Sequence, residues 1–141
     1  REIISFFFFF QRAKASRKDL VIIAGSNFGS KENSFLAVKG IKALGIRVII
    51  AKSFDKSFKN DLIKIGILPL EFIDEDIESL DLKGDEVVTI KTEDIKLNGK
   101  IEIELKNDFF TKYTFVQYRF DSNLELNYYK NNGVLSYLIS K

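Results

Sequence analysis

The sequence contains no cysteine, histidine, methionine or tryptophan, and only one proline. Without cysteine or histidine, this chain alone can form no disulfide, zinc finger, cysteine-ligated iron–sulfur cluster or serine–histidine–aspartate triad. Catalysis by these residues alone would have to use carboxylates, lysines, arginines, tyrosines or hydroxyl groups. The only proline is Pro69, and no flexible linker divides the chain into two halves. We therefore expect one domain over residues 1–141.

The charge balance and the apolar runs exclude further classes of protein. Lys and Arg total 22 against 20 Asp and Glu, so the net charge of +2 lacks the basic excess of a dedicated nucleic-acid binder. The apolar run at residues 3–10 is far shorter than the roughly twenty residues of a membrane-spanning helix. Basic residues follow this run, whereas they precede the apolar core of a secretory signal. We expect neither a membrane span nor secretion.

The first residue is Arg1 and the sequence contains no methionine, so we expect that an initiator has been removed or a longer precursor has been trimmed. Such processing accompanies import into an organelle. The sequence therefore favours a mitochondrial location over a cytoplasmic one.

The N-terminal segment, residues 1–17, is predicted to form a phenylalanine-rich helix. Its apolar residues offer a docking face, and its basic residues are candidates for RNA contact, although four charges on one helix more often form a solvated face. The candidate docking residues are Phe6, Phe7, Phe8, Phe9 and Phe10. The candidate RNA contacts are Arg12, Lys14, Arg17 and Lys18.

The first half of the remaining chain alternates between buried strands and helices. Apolar runs at residues 20–24, 48–51 and 67–72 have the length of buried strands, and helical periodicity lies between them. Gly45 and Gly66 stand where the two helices should end, and Ser53 is a candidate cap for the second. This order predicts a mainly parallel sheet.

The second half is more polar and predicts antiparallel strands. Asn98-Gly99 is a hairpin signal, and Ile101, Ile103 and Leu105 alternate with polar residues after it. A strand over residues 113–120 leads to Ser122 and Glu125, which have the spacing of a capping box. We expect a closing helix from that point.

Several motifs resemble the C-terminal swivel domain of the aconitase family, in order and without gaps. The end of the chain resembles bacterial-type aconitases and iron-regulatory proteins more than isopropylmalate dehydratase small subunits. The motifs are Leu44-Gly45-Ile46-Arg47-Val48-Ile49-Ile50-Ala51, Ser53-Phe54, Gly66-Ile67-Leu68-Pro69-Leu70-Glu71-Phe72, Arg119-Phe120-Asp121, Glu125-Leu126 and Tyr128-Tyr129. The resemblance implies an α/β fold, a three-layer β/β/α swivel domain with a mostly parallel first half and antiparallel strands in the second.

The resemblance also identifies an active-site loop, which this chain has changed. In aconitases the swivel domain closes over a [4Fe–4S] cluster held by cysteines of other domains, so no cofactor is expected in this chain. The domain contributes a Gly-x-Gly-Ser-Ser-Arg loop, whose first serine is the base and whose arginine binds a substrate carboxylate. The corresponding residues here are Gly29, Ser30, Lys31, Glu32, Asn33 and Ser34. We call these six residues the substituted loop.

The substitutions remove the chemistry that the family loop supplies. Glu32 stands at the base position, Asn33 at the second serine and Ser34 at the arginine. At these three positions one negative charge is gained and one positive charge is lost, a shift of about two units against a tricarboxylate. The lost arginine is the residue type best suited to bind a carboxylate with two hydrogen bonds. A second family arginine is replaced by Lys59, which keeps the charge and loses the planar fork. We predict no catalytic residue and no metal site, and helix capping is a sufficient role for residues 32–34.

Three hypotheses for the function follow. The first is a catalytically inactive swivel domain retained as a structural or interaction subunit of a larger assembly with other protein subunits. The second is the C-terminal part of a working aconitate hydratase, which interconverts citrate and isocitrate, with its iron–sulfur domains elsewhere. The third is an RNA-binding derivative of the iron-regulatory type. The loss of the loop favours the first hypothesis, and hence a protein that is not an enzyme.

Overall fold

The computed structural model describes residues 6–12, 18–29, 34–84, 86–90 and 96–130. These residues form one sheet of seven strands and three helices. In chain order the elements are β1 (Phe6–Arg12), β2 (Lys18–Ala24), α1 (Ser34–Ala43), β3 (Ile46–Ala51), α2 (Lys56–Lys64), β4 (Leu68–Phe72), β5 (Val87–Thr89), β6 (Lys100–Lys106), β7 (Thr111–Tyr118) and α3 (Asn123–Lys130). The sheet order is β1-β2-β3-β4-β7-β6-β5.

The parallel half of the sheet is formed by β2, β3 and β4, as the apolar runs predict. β2 pairs with β3 and β3 with β4, both in parallel, and α1 and α2 make the two crossovers. Both faces of these strands are covered, so consecutive residues such as Ile49 and Ile50 are fully buried. Gly45 has a φ of +85° and ends the turn after α1, where a left-handed backbone favours glycine.

The other half of the sheet is antiparallel, which also agrees with the sequence. β7 pairs with β4 and β6, and β6 pairs with β5. Along β6, Ile103 and Leu105 are buried while Glu102 is exposed, which is the alternation of a strand with one covered face. Asn98 adopts a φ of +54° in the turn that precedes β6.

Two apolar clusters divide the fold into three layers. One cluster joins the inner faces of the two sheet halves and includes Ile23, Leu70, Ile103 and Val116. The second cluster lies between α1, α2 and the opposite face of β2 and β3, and includes Ile67 just before β4. Sheet therefore packs on sheet, and helices cover one of the two sheet halves. This is the three-layer β/β/α arrangement expected for a swivel domain.

The predicted N-terminal helix is wrong over Phe6–Arg12, where the chain forms strand β1. β1 pairs antiparallel with β2, from Phe6 opposite Ala24 to Arg12 opposite Lys18. Consecutive phenylalanines would surround a helix with apolar side chains, which leaves no amphipathic face to direct its packing. Aromatic residues favour extended backbone, and the free edge of β2 supplies the pairing partner. The remaining residues of the predicted helix, 1–5 and 13–17, lie outside the described residues.

The helix caps agree with the sequence only in part. The N-cap of α2 is Asp55, whose side chain accepts a hydrogen bond from the Phe58 amide at 3.1 Å, and not Ser53. At α3, the Ser122 hydroxyl accepts from the Glu125 amide at 3.3 Å, as a capping box requires. The Glu125 carboxylate instead accepts from the amide of Asp121, at 2.7 Å, one residue before the expected donor.

Candidate functional site

The loops that follow β2 and β3 are joined by hydrogen bonds, because the ends of parallel strands meet at one edge of the sheet. The Phe28 amide donates to the Ser53 carbonyl at 3.0 Å, and the Asp55 amide donates to the Phe28 carbonyl at 3.0 Å. The Asn27 amide donates to the Ser53 hydroxyl at 2.8 Å. Ser53 therefore ties the two loops together rather than capping α2. These contacts fix the point at which the substituted loop begins.

Gly29, the first residue of the substituted loop, is packed against an aromatic ring. A Cβ atom at this position would lie 2.2 Å from Cγ of Phe58, and φ is +89°. Both the close approach and the left-handed backbone require glycine. The Phe58 ring is itself held edge-on by Phe28, with centroids 5.2 Å apart and planes at 89°.

The rest of the substituted loop is described only at its end. Ser30, Lys31, Glu32 and Asn33 lie outside the described residues, and Ser34 is the first residue of α1. The prediction that these residues have lost the family chemistry stays a prediction from the sequence.

Lys59, which the sequence resemblance places at a second family arginine position, is buried in α2 and paired with carboxylates. Its side chain is 5% exposed, and Nζ lies 2.5 Å from Oδ2 of Asp121 and 3.9 Å from Oε1 of Glu125. Asp121 follows β7, and Glu125 lies in the first turn of α3. The positive charge is therefore held from two sides by groups of the chain itself.

Lys59 and Asp121 line a pocket of about 240 Å³ on the surface, which we call the charged pocket. It lies between the start of α2, strand β4 and the segment after β7. Its lining residues are Phe54, Lys56, Lys59, Glu71, Arg119 and Asp121.

Two of the three cations that line the charged pocket, Lys59 and Arg119, are paired with neighbouring carboxylates. Arg119 Nε lies 3.6 Å from Oε1 of Glu71. Burial acts to raise the pKa of Asp121, but the hydrogen bond and charge of Lys59, with the charges of Arg119 and Lys56, hold that pKa below its ordinary value. Asp121 is thus ionised at neutral pH and does not act as a proton donor there.

The chemistry available in the charged pocket is charge pairing rather than proton transfer. A polyanionic ligand would have to displace Asp121 from Lys59 or Glu71 from Arg119 to reach either of these two cations, which leaves Lys56 as the third cation of the lining. The whole chain lacks cysteine and histidine. It therefore offers no thiolate ligand to an iron–sulfur cluster. In the part of the chain that is described, no group of three or more acidic side chains is arranged to hold a metal ion.

The residues proposed for docking and RNA contact do not lie on a helix where they are described. Phe6, Phe7, Phe8, Phe9 and Phe10 all belong to β1, and Arg12 lies opposite Lys18 at the far end of the β1–β2 pair. Lys14 and Arg17 lie outside the described residues. No helix among the described residues is long and apolar enough to span a membrane.

Sequence reasoning missed the carboxylate partners of Lys59. Asp121 is 62 residues away along the chain, so no local spacing indicates the pair. The serine–glutamate spacing predicts the start of α3 correctly. It does not reveal that Glu125 also approaches Lys59.

Comparison with known proteins gives consistent results. The model of the aconitase C-terminal domain matches residues 1–75, which is more than half of the chain. Aconitate hydratase A of Salmonella typhimurium is 39% identical over 123 residues, and that of Streptococcus mutans is 33% identical over 123. Aconitate hydratase A of Bacillus subtilis is 30% identical over 141 residues, or 98% of this chain. This chain spans only 14–16% of the length of these relatives.

A solved structure is similar in fold. The crystal structure of 3-isopropylmalate dehydratase from Methanocaldococcus jannaschii superposes with a TM-score of 0.66 and 28% sequence identity. The similarity covers 90% of this chain and 66% of that protein. Sequence and fold comparisons thus point to the same family.

Proposed function

Because this chain belongs to the aconitase C-terminal domain family, we propose that it is a catalytically inactive swivel domain, retained as a structural or interaction subunit of a larger assembly. In this proposal the fold of the family is kept and its substrate chemistry is lost. Other protein subunits are its partners, and the assembly is the setting in which its surface is used.

The internal pairing of Lys59 is the observation that carries the proposal. Lys59 stands at a family arginine position, and Asp121 and Glu125 hold its ammonium group inside the fold. A lysine so paired gives a substrate carboxylate one compact charge rather than the planar fork of arginine. Arg119 is likewise paired with Glu71. Three cations and two carboxylates line the charged pocket, so it offers a tricarboxylate a net charge of only about one positive unit.

The substituted loop supports the same proposal from the sequence. It carries Glu32 at the position of the family base and Ser34 in place of the carboxylate-binding arginine. Gly29, which the packing against Phe58 requires, is retained. The position needed for folding is kept, whereas the positions needed for chemistry are changed.

A chimera with a working relative tests this proposal. The corresponding C-terminal segment of Streptococcus mutans aconitate hydratase A would be replaced by this chain, which aligns over 86% of its length. We expect the chimera to assemble without converting citrate to isocitrate. The measurement is the rate of isocitrate formation from citrate, together with the iron content of the purified chimera.

The matched control is the same chimera with Lys31→Gly, Glu32→Ser, Asn33→Ser and Ser34→Arg, which rebuilds the family loop. We expect activity to return in part in this variant, since the base and one carboxylate-binding arginine are restored while Lys59 stays paired with Asp121. Activity in the chimera with the native loop would contradict the proposal. It would favour the alternative, in which this chain is part of a working aconitate hydratase and Glu32 serves as the base.

The remaining predictions depend on the sequence alone. A mitochondrial location of the assembly stays a prediction. RNA contact through Arg12, Lys14, Arg17 and Lys18 also stays a prediction. It assumed an N-terminal helix, whereas Phe6–Arg12 forms strand β1.

A further inference from the structure

The outward face of the antiparallel half of the sheet exposes aromatic side chains. Tyr113 and Phe115 of β7 are 58% and 53% exposed, and Phe109 in the turn before β7 is 88% exposed. The residues that alternate with the two strand aromatics, Thr114 and Val116, are buried in the core. Exposed apolar side chains that are grouped in this way are typical of interaction surfaces.

Two glutamates of β6 lie in the same rows as these aromatic residues. Glu102 is opposite Phe115, and Glu104 is opposite Tyr113. Directly opposed residues of antiparallel strands point to the same face, with Cβ atoms about 4.5–5.5 Å apart. The Tyr113 hydroxyl donates to Oε2 of Glu104 at 3.5 Å. We call Glu102, Glu104, Tyr113 and Phe115 the aromatic–acidic face.

Among the residues that the structure describes, the carboxylates of the aromatic–acidic face have no cationic partner. No ion pair involves Glu102 or Glu104 within the described part of the chain. On the same side of β6, Lys100 and Lys106 lie one row beyond them at either end. The charges along this side of the strand therefore run positive, negative, negative, positive.

This order of charges distinguishes between two possible binding partners of the face, a second copy of the chain and a positively charged segment. A second copy stacked face to face would place its own glutamates against these two, because the acidic rows are central in both copies. Such burial of like charges is unfavourable. A partner with positive charge at the centre is complementary. Arginine fits both the acidic and the aromatic side chains of this face, since its guanidinium group pairs with carboxylates and stacks on aromatic rings.

We propose that the aromatic–acidic face binds an extended segment of a partner protein that carries arginine residues at its centre. Arginine side chains of that segment pair with Glu102 and Glu104 and stack on Phe115 and Tyr113. This inference rests on the proposed role in an assembly, and it names the surface and the kind of partner. Neither the substituted loop nor the charged pocket takes part in it.

Two synthetic peptides of identical composition test the proposal. The central-arginine peptide has the sequence Glu-Thr-Arg-Thr-Arg-Thr-Glu, and the permuted peptide has Arg-Thr-Glu-Thr-Glu-Thr-Arg. Both would be blocked at their ends and titrated into the isotope-labelled full chain, with amide chemical shifts recorded by NMR. We expect the central-arginine peptide to bind about tenfold more tightly. The shifts should concentrate on β6 and β7.

Variants of the exposed residues identify the groups that bind. We expect Glu102→Gln with Glu104→Gln to abolish the preference between the two peptides. Tyr113→Thr with Phe115→Thr should weaken the binding of the central-arginine peptide about tenfold. The matched control is Asp74→Asn with Glu78→Gln, which removes two exposed carboxylates from the segment after β4. This control should leave both affinities unchanged.

Several results would overturn the proposal. These are equal affinity for both peptides, no binding of either, shifts located elsewhere, or a preference that survives Glu102→Gln with Glu104→Gln. Dimerisation of the full chain in sedimentation, lost in the threonine variant, would assign the face to a second copy instead. The outcome of the peptide titration depends neither on the substituted loop nor on the presence of substrate. Its failure is therefore distinguishable from an active native-loop chimera, which would overturn the proposed function.

Discussion

At the scale of single residues, a buried cation is held by carboxylates that come from a distant part of the chain. Lys59 lies on α2, while Asp121 and Glu125 lie after β7 and at the start of α3. These contacts connect helix α2, in the parallel half of the fold, to helix α3 and to the segment before it. Lys59 is buried, whereas the side chain of Asp121 is 42% exposed. Solvent therefore screens part of the attraction between the two charges and lowers its contribution to stability.

We predict that Asp121→Asn lowers the free energy of unfolding at neutral pH by about 1 kcal/mol, a value reduced for the exposure of Asp121. The pKa of Asp121 is lowered in the folded state, so its contribution is present at neutral pH and is lost as pH falls. The difference in stability should therefore begin to shrink as pH falls through about 4, the ordinary pKa of an aspartate, and should vanish only below the lowered pKa of Asp121. Urea unfolding at a series of pH values measures the difference.

The matched control for this prediction is Asp81→Asn, which removes the carboxylate of the exposed pair between Asp81 and Lys83. It should leave the stability unchanged, because solvent screens an exposed pair. If Asp121→Asn and Asp81→Asn had equal effects, the buried pair would have no special role.

Gly29 gives a second prediction at this scale. Gly29→Ala should lower the free energy of unfolding by about 2–4 kcal/mol, because its Cβ would overlap the Phe58 ring and φ is +89°. Gly40→Ala is the matched control, since no atom lies within 4 Å of its Cβ position in helix α1. This change should stabilise the protein by up to about 1 kcal/mol. Equal effects in thermal unfolding would contradict the packing described here.

At the scale of elements, the main revision concerns the N-terminal segment. Sequence patterning predicts β2, β3, β4, α1 and α2, because buried strands and amphipathic helices leave local signals. It fails at β1, since a run of identical aromatic residues has no period that distinguishes a helix from a strand. The pairing with β2 is a tertiary contact that the local sequence does not contain.

Hydrogen exchange tests this pairing. Removal of residues 1–12 should increase the exchange of amides in Lys18–Ala24, because β2 would lose its neighbour on one side while keeping β3 on the other. Strand β6 lies between β5 and β7 and serves as an internal reference that should keep its protection. Unchanged exchange in β2 would agree with the helix that the sequence suggested.

At the scale of the whole molecule, helices cover one half of the sheet and leave the outward face of the other half exposed. The three-layer arrangement could be predicted from the order of elements together with the family motifs. The charged pocket could be predicted only in part. The motifs identify Lys59, whereas its partners are separated from it by 62 residues and become visible only in the fold. The aromatic–acidic face depends on strand register, which the sequence leaves open.

The isolated chain should not convert citrate to isocitrate, even with the rebuilt loop of Lys31→Gly, Glu32→Ser, Asn33→Ser and Ser34→Arg. The reason is chemical, because a chain without cysteine provides no thiolate ligands for the cluster that the family reaction requires. An assay of both proteins over a range of citrate concentrations checks this. Turnover by either of them would contradict the assignment of the cluster to other domains.

The central claim is that this swivel domain serves an assembly without performing the family reaction. Native mass spectrometry of the complex isolated gently from its own source, with iron, sulfide and citrate turnover measured on the same sample, tests this claim most directly. The account predicts a complex with other proteins that contains no iron–sulfur cluster and does not convert citrate. A complex, or a longer chain, that carries the cluster and forms isocitrate would contradict it.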